Sequence, residues 1–157
     1  MESFDRIDHA FFMREAIVEA QKALLRGDRP IGAAVAHNGQ IVARGSNTFA
    51  TDRSPIAHAE MNALLACAPY LYEHGHDCVI YTTCEPCVMC LGAIVMANIR
   101  SVVFGMPDYY IRARSVIDNV EYVRRRIHNY VGGVLREECI ELYKRYSEQE
   151  ANLTLVV

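Results

Sequence analysis

A two-residue turn signal constrains the fold of this chain more than any other feature of its sequence. Asn38-Gly39 lies between two strand-like runs, residues 31–36 and 40–45. Asn-Gly is the pair that a tight β-hairpin favours, because both of its central positions need positive φ angles. Helical and strand-like segments then alternate along the rest of the chain. A hairpin followed by such alternation predicts an α/β fold, with a five-stranded mixed sheet between two layers of helices.

The other elements follow from apolar periodicity and from residues that end helices. We expect helices over residues 6–26, 58–67, 87–97 and 134–147, and strands over residues 78–82, 101–105 and 127–131. The helix at 87–97 is apolar on every side, so we expect the sheet, and a partner subunit as well, to cover it. Residues 106–126 are expected to form a long connection containing one short helix, and residues 73–77 a solvated loop.

Length and composition bound the class of protein. The 157 residues are near the usual size of one domain, and we expect a single domain over residues 1–157. A net charge of −3 lowers the expectation of nucleic-acid binding without excluding a local basic patch. No apolar run approaches the roughly 20 residues of a membrane span. Six cysteines without a secretion signal indicate a reducing compartment, so we expect a cytoplasmic protein.

Two short segments carry the residues suited to chemistry. His58-Ala59-Glu60 begins one predicted helix, and Pro86-Cys87-Val88-Met89-Cys90 begins the next. Cys87 and Cys90 are three residues apart, so both thiols share one face of a first helical turn. Zinc prefers nitrogen and sulfur ligands, and His58, Cys87 and Cys90 supply three of its four positions, which leaves one for water. Glu60 can lie beside the zinc and carry protons.

Each segment alone has an ordinary interpretation. A lone Cys-x-x-Cys is often a redox or structural pair, and a lone His-x-Glu does not indicate any particular function. Their combination, in this order and with a proline before the first cysteine, is the signature of zinc-dependent deaminases. Cys84 could be mistaken for a fourth ligand, but its place at a strand end favours a buried apolar role. We expect Cys67, Cys78 and Cys139 to lie in the core.

The chain resembles the cytidine deaminase superfamily, in its branch of guanine, cytosine and transfer-RNA adenosine deaminases. The resemblance covers almost the whole length, and it implies a three-layer α/β/α fold, a bound zinc ion and a homodimer. The matching segments are Pro30-Ile31-Gly32-Ala33, residues 83–90 and Gly133-Val134-Leu135 with Glu138-Cys139.

The resemblance also implies roles for individual residues. The reaction is a hydrolytic deamination, in which Glu60 protonates a ring nitrogen and then the departing ammonia. Asn47, eleven residues before His58, corresponds to the residue that holds the substrate base. Ala59 and Asp108 are also expected to contact substrate, Asp108 because it follows a strand end, where ligand-facing loops occur.

The substrate is the open question, and we expect a free purine or pyrimidine base, such as guanine, cytosine or a related amino-azine. The alternative is a transfer-RNA adenosine deaminase acting on the wobble adenosine, and a third possibility is a catalytically silent scaffold. The transfer-RNA enzymes usually have a segment containing Lys and Gly after the fourth strand. This chain has residues 108–114 at that place, and they contain neither residue type.

Two other segments bear on the substrate. Residues 152–157 either close over the pocket or form an unstructured tail. Arginines interleaved with tyrosines could nevertheless bind single-stranded RNA: Arg112, Arg114, Arg124, Arg125 and Arg126, with Tyr109, Tyr110 and Tyr122.

Overall fold

The computed structural model describes residues 3–157, and a five-stranded mixed sheet lies at its centre. The strand order is β2-β1-β3-β4-β5, in which β1 is antiparallel to β2 and β3, while β3, β4 and β5 are mutually parallel. This arrangement confirms the predicted mixed sheet. The strands are β1 Gly32–His37, β2 Gln40–Ser46, β3 Val79–Cys84, β4 Ser101–Met106 and β5 Asn129–Val131.

The hairpin between β1 and β2 turns at the predicted pair. Asn38 and Gly39 have φ angles of 50° and 77°. Two consecutive positive φ values are what a two-residue hairpin turn of the right twist requires, and Asn and Gly are the residues that adopt them at least cost. The hairpin prediction is therefore confirmed.

Helices cover both faces of the sheet, as predicted. Successive residues of β1 point to opposite faces: Ala33 and Val35 pack in one apolar core, and Ala34 and Ala36 in the other. The first core lies under α2 and α4, and the second under α1 and α7. The helices are α1 His9–Arg26, α2 Ala59–Ala66, α3 Ala68–His74, α4 Val88–Met96, α5 Arg114–Asn119, α6 Glu121–Arg124, α7 Arg136–Tyr146 and α8 Glu148–Leu155.

The structure differs from the sequence predictions in three connections. Pro69 lies in the first turn of a further helix, α3, where its missing N–H removes no helical hydrogen bond. The loop predicted at residues 73–77 is helical instead, because this run forms the end of α3 and a 3₁₀ turn in which Gly75 is buried. The predicted solvent exposure is confirmed for Glu73, His76 and Asp77. Residues 106–126 contain two short helices, α5 and α6, instead of one. The chain also ends in a helix, α8.

Helix α4 is less covered than its composition predicts. Val88 is 51% exposed and Met96 is 70% exposed, although Leu91 and Ile94 are fully buried.

Among the described residues, no helix is both long and apolar enough to cross a membrane.

Candidate active site

The predicted zinc ligands meet at the N-termini of two helices on one face of the sheet. His58 immediately precedes α2, and Cys87 immediately precedes α4, where its Sγ accepts a hydrogen bond of 3.5 Å from the N–H of Cys90. Gly45 on β2 allows α2 to approach the sheet, because a Cβ at this position would lie 2.3 Å from the carbonyl oxygen of Ala59. The two predicted segments are therefore brought together by close packing of α2.

The three side chains have the spacing of a zinc site. Nδ1 of His58 lies 3.6 Å from Sγ of Cys87 and 3.5 Å from Sγ of Cys90. Zn–N and Zn–S bonds of about 2.05 and 2.3 Å at a tetrahedral angle place nitrogen and sulfur about 3.6 Å apart. Within residues 3–157 this trio is the one group of metal-ligating side chains found, and Cys84 is not part of it. The residues present therefore fit the metal.

The thiol of Cys87 is held in the form that binds metals. Its pKa is lowered to about 4, because Cys90 and then His58 donate hydrogen bonds to its sulfur, and these outweigh the opposing effect of burial. A thiolate is the ligand form of cysteine. The location of Cys87 at the N-terminus of α4 also favours negative charge.

Glu60 lies beside this trio in a buried position. It is 3% exposed, its Oε1 accepts a hydrogen bond of 3.2 Å from Oγ1 of Thr82, and its Oε2 lies 3.5 Å from Sγ of Cys90. Burial raises the pKa of the Glu60 carboxyl above its ordinary value. A carboxyl group with a raised pKa can both accept and release a proton near neutral pH.

A cavity of about 220 Å³ opens onto Glu60, His58 and Cys87. Asn47 and Asp108, both predicted to contact substrate, line it, whereas Ala59 is fully buried and is not among the lining residues. Oδ1 of Asn47 accepts a hydrogen bond of 3.1 Å from the N–H of Phe49, which leaves its amide nitrogen as the donor available to a ligand. The other lining residues are Arg29, Ile31, Cys84, Glu85, Ile111, Tyr143 and Thr154.

Several residues of this cavity carry no local sequence signal. Glu85 is 7% exposed and accepts hydrogen bonds from the N–H of Asp108 at 2.8 Å and from the hydroxyl of Tyr130 at 2.9 Å. Arg29 reaches the cavity while paired with Glu150 of α8 at 3.0 Å. Glu85 lies within the motif at residues 83–90, so its position could have been noticed, but its partners are 23 and 45 residues away in the chain.

Comparison with known proteins places the chain among zinc-dependent deaminases. Residues 6–106 match the family described as the cytidine and deoxycytidylate deaminase zinc-binding region. A tRNA-specific adenosine deaminase of Bacillus subtilis (strain 168) is 40% identical over 131 residues, covering 82% of this chain and 81% of the relative. A guanine deaminase of the same organism is 37% identical over 101 residues, covering 63% and 65%. The solved structure of a tRNA:A34 deaminase superposes with a TM-score of 0.74 at 30% identity, covering 84% of this chain and 98% of its own.

These comparisons contradict the expectation that the substrate is a free base. The match to the tRNA-specific enzyme has higher identity and extends over four fifths of both chains, whereas the match to the guanine deaminase extends over less than two thirds of each. The free-base expectation is therefore wrong, and the alternative is better supported. The absence of Lys and Gly from residues 108–114 and the net charge of −3 both argued against RNA, and neither shows how charges are distributed over the folded surface.

Proposed function

The chain belongs to the cytidine and deoxycytidylate deaminase family, whose members are zinc-dependent hydrolytic deaminases, and from this premise we propose that it is a transfer-RNA adenosine deaminase. In this proposal it converts an adenosine of the RNA, at the wobble position, to inosine and ammonia. The observation that carries the proposal is the 40% identity to a tRNA-specific adenosine deaminase over 82% of this chain and 81% of the relative.

We assign the zinc ion to His58, Cys87 and Cys90, whose spacing fits a tetrahedral site. Three protein ligands leave one position open, which is the arrangement of catalytic zinc sites. When bound, the ion supplies Lewis acidity that lowers the pKa of water at this position.

Glu60 is assigned as the proton carrier. Its carboxylate is buried and lies within 3.5 Å of the sulfur of Cys90, so it borders both the metal ligands and the cavity. The hydrogen bond from Thr82 fixes Oε1 and leaves Oε2 on the side of the zinc ligands. In deamination, Glu60 delivers one proton to a ring nitrogen of the base and a second to the departing amine.

Asn47 and Asp108 are assigned to orientation of the base. The amide nitrogen of Asn47 can donate to a ring nitrogen or oxygen, because Oδ1 already accepts from Phe49. Oδ1 of Asp108 accepts from the N–H groups of Tyr110 and Ile111, which fixes the carboxylate at the cavity wall. A buried amide and a fixed carboxylate on two walls can select one ring orientation.

We further propose that the chain acts as one catalytic domain and forms a homodimer through the exposed apolar side of α2, α3 and α4. Leu65, Tyr72, Val88 and Met96 are 51% to 89% exposed. Leu65, Tyr72 and Met96 line a groove of about 330 Å³, together with Met61 and Ala93. Because α4 is otherwise apolar, a second copy of this chain is the partner that suits this side. Sedimentation of the wild type and of Met96→Glu tests this assignment.

The function is tested by incubating the zinc-loaded protein with an adenosine-containing anticodon stem-loop and measuring inosine after nuclease digestion. Free guanine, cytosine and adenine are incubated in parallel and ammonia is measured. Inosine in the RNA, without ammonia from the bases, is the expected result. Ammonia from a free base together with unchanged RNA would contradict the proposal.

A further inference from the structure

The end of the sheet opposite to the catalytic cavity carries a groove rich in cationic side chains. This groove, which we call the arginine groove, has a volume of about 460 Å³. Its lining residues are His76, Asn98, Ile99, Arg100, Arg125 and Arg126, none of which is acidic. A concave surface with three guanidinium groups and no lining carboxylate attracts anions, and arginine matches the geometry of phosphate with two parallel hydrogen bonds.

The backbone of Arg100 and the side chain of Arg126 are held in place by their surroundings. The carbonyl oxygen of Arg100 accepts hydrogen bonds from the N–H groups of His128 at 2.8 Å and Asn129 at 3.2 Å, which ties it to the segment that follows Arg126. The guanidinium of Arg126 lies 3.7 Å from the centre of the Tyr122 ring. Stacking on an aromatic face holds a guanidinium in one plane while its N–H groups stay available.

The same two arginines are the ones without a carboxylate partner in the groove. Arg125 pairs with Glu121, but among residues 3–157 no ion pair engages Arg100 or Arg126. Both are half-buried, so water screens their charges less than those of fully exposed arginines. An anionic ligand would relieve their mutual repulsion.

A cavity with an aromatic wall adjoins the arginine groove. It has a volume of about 260 Å³ and shares His76 and Arg100 with the groove. Phe4 is the half-buried aromatic ring of its lining, whereas Phe12 and Tyr81 are buried behind the wall at 4% and 0% exposure, and Asp77 is its one acidic lining residue. A partly exposed ring beside phosphate-binding arginines can stack on a base that has left its own stack, which is how proteins commonly hold single-stranded RNA.

The arginine groove lies about one strand length from the catalytic cavity. Arg100 immediately precedes β4, whereas Asp108, which lines the catalytic cavity, follows its end. Six residues at about 3.3 Å each span roughly 20 Å. Stacked nucleotides are about 3.4 Å apart, so roughly six nucleotides separate the two places. An RNA with its target base in the catalytic cavity reaches the groove only through flanking nucleotides.

We propose that the arginine groove binds backbone phosphates of the RNA substrate and that the adjoining cavity receives an unstacked base of the same RNA. This inference rests on the proposed function, to which it adds a contact area remote from Glu60. The contact supplies affinity and leaves the chemical step to the catalytic cavity.

The test compares the double variant R100Q/R126Q with Arg145→Gln, which removes one exposed charge from α7 as a control. The dissociation constant of a fluorescent anticodon stem-loop is measured by anisotropy from about 50 to 200 mM salt. We expect the double variant to bind about tenfold more weakly at the lower salt. We also expect the slope of log Kd against log salt to become less steep by about 0.7 for each arginine that contacts a single-stranded phosphate. R145Q should bind like the wild type.

A second variant adds a negative charge without removing an arginine. Asn98 is exposed and has a φ of 62°, a conformation that aspartate also tolerates. Asn98→Asp places a carboxylate in the groove with almost no change of shape, so it should weaken RNA binding. Because Asn98 also lines the apolar groove assigned to the homodimer, sedimentation as well as thermal unfolding should stay near those of the wild type. In deamination assays, both groove variants should raise KM for the stem-loop while kcat changes less than about twofold.

The outcomes separate this inference from the proposed function. Inosine formation with unchanged Kd and unchanged salt dependence in both variants would overturn the groove assignment alone. If the groove variants bind RNA more weakly, as expected, but the wild type forms no inosine, the groove assignment is supported and the proposed function is contradicted. Saturable binding of free adenosine monophosphate that R100Q/R126Q abolishes, without any change in RNA affinity, would also overturn the assignment.

Discussion

The backbone N–H of Tyr109 donates a hydrogen bond to the carbonyl oxygen of Thr154, with an N–O distance of 2.8 Å. This bond joins the last helix, α8, to the loop that follows β4. Thr154 and Asp108, on either side of the bond, both line the catalytic cavity. The C-terminal segment therefore forms part of the cavity wall: α8 runs to Leu155 and Thr154 lines the cavity, whereas Val156 and Val157 are exposed.

Removal of residues 153–157 should change substrate binding more than stability. The deletion removes the acceptor for Tyr109, the Thr154 wall and Leu155, which is half-buried against the second apolar core, whereas Leu153, Val156 and Val157 are exposed. We expect KM for the stem-loop RNA to rise at least about threefold, because the loop that carries Asp108 loses one of its supports. Deletion of Val156 and Val157 alone is the matched control. The same KM in both truncated proteins would show that α8 does not shape the cavity.

Substitution of Glu60 by glutamine should abolish turnover and spare the metal. The amide is close in size to the carboxyl but cannot carry a proton between water and the base, and general acid–base catalysis contributes about 10²–10⁴ in rate. We expect kcat for inosine formation to fall by that factor while zinc content, measured by atomic emission, stays near that of the wild type. Glu73→Gln, an exposed change of the same kind, serves as control. A zinc-loaded Glu60→Gln protein with the wild-type rate would exclude Glu60 as the proton carrier.

The parts of the structure that sequence predicts are those encoded by neighbouring residues. The turn at Asn38-Gly39 is specified by two φ angles, and the Cys87-x-x-Cys90 pair by the pitch of a single helical turn. Such signals need no knowledge of the rest of the chain. They were sufficient to predict the mixed sheet and the side chains that the structure brings together around His58.

The parts that sequence did not predict depend on distant contacts. Arg29 reaches the catalytic cavity in an ion pair with Glu150, 121 residues away. Gly45 is required because α2 packs against it, a contact that no short segment reveals. The substrate was predicted wrongly for a related reason, since a net charge of −3 says nothing about the segregation of arginines around residues 100 and 126.

Glu85→Gln should weaken both the fold and the cavity. Glu85 is 7% exposed, and its two oxygens accept from the N–H of Asp108 and the hydroxyl of Tyr130. In the variant the NH₂ group faces either the N–H of Asp108, with which it forms no bond, or the hydroxyl of Tyr130, which must turn to accept from it. In both cases the two hydrogen bonds to a charged acceptor are lost, and this costs about 1–3 kcal/mol. We expect urea denaturation to show a loss in this range, and KM to rise because the Asp108 loop is no longer fixed.

Tyr130→Phe is the matched control for Glu85→Gln. It removes one hydrogen bond to Glu85 but keeps the bond to Asp108. We expect some loss of stability with an unchanged KM. A rise in KM as large as that of Glu85→Gln would mean that packing around β5, and not the bond to Asp108, controls the cavity.

Asp28 gives the fold a specific dependence on pH. It is 1% exposed, and its Oδ1 accepts hydrogen bonds from the N–H groups of Ala50 at 2.8 Å and Thr51 at 3.0 Å. These two residues lie in the loop that follows Asn47 of the catalytic cavity. Burial alone raises the pKa of this carboxyl, but the hydrogen bonds from Thr51, Ala50 and Arg26 outweigh burial and lower the pKa below 3.8. The folded state therefore favours the charged form of Asp28.

Because the folded pKa of Asp28 is the lower one, its contribution to stability is present above the unfolded pKa and is lost as pH falls through the folded value. Asp28→Asn should therefore lower the free energy of unfolding at pH 7 by about 1–3 kcal/mol. The difference from the wild type should begin to narrow below about pH 4, where the carboxyl of the unfolded chain binds a proton, and should go on narrowing as pH falls through the lower pKa of the folded state. Urea denaturation across this pH range measures the difference, with Asp52→Asn, an exposed change in the same segment, as control. A difference that stays constant from neutral pH to about pH 3 would show that Asp28 acts through its shape and not its charge, because protonation would then leave its hydrogen bonds unchanged.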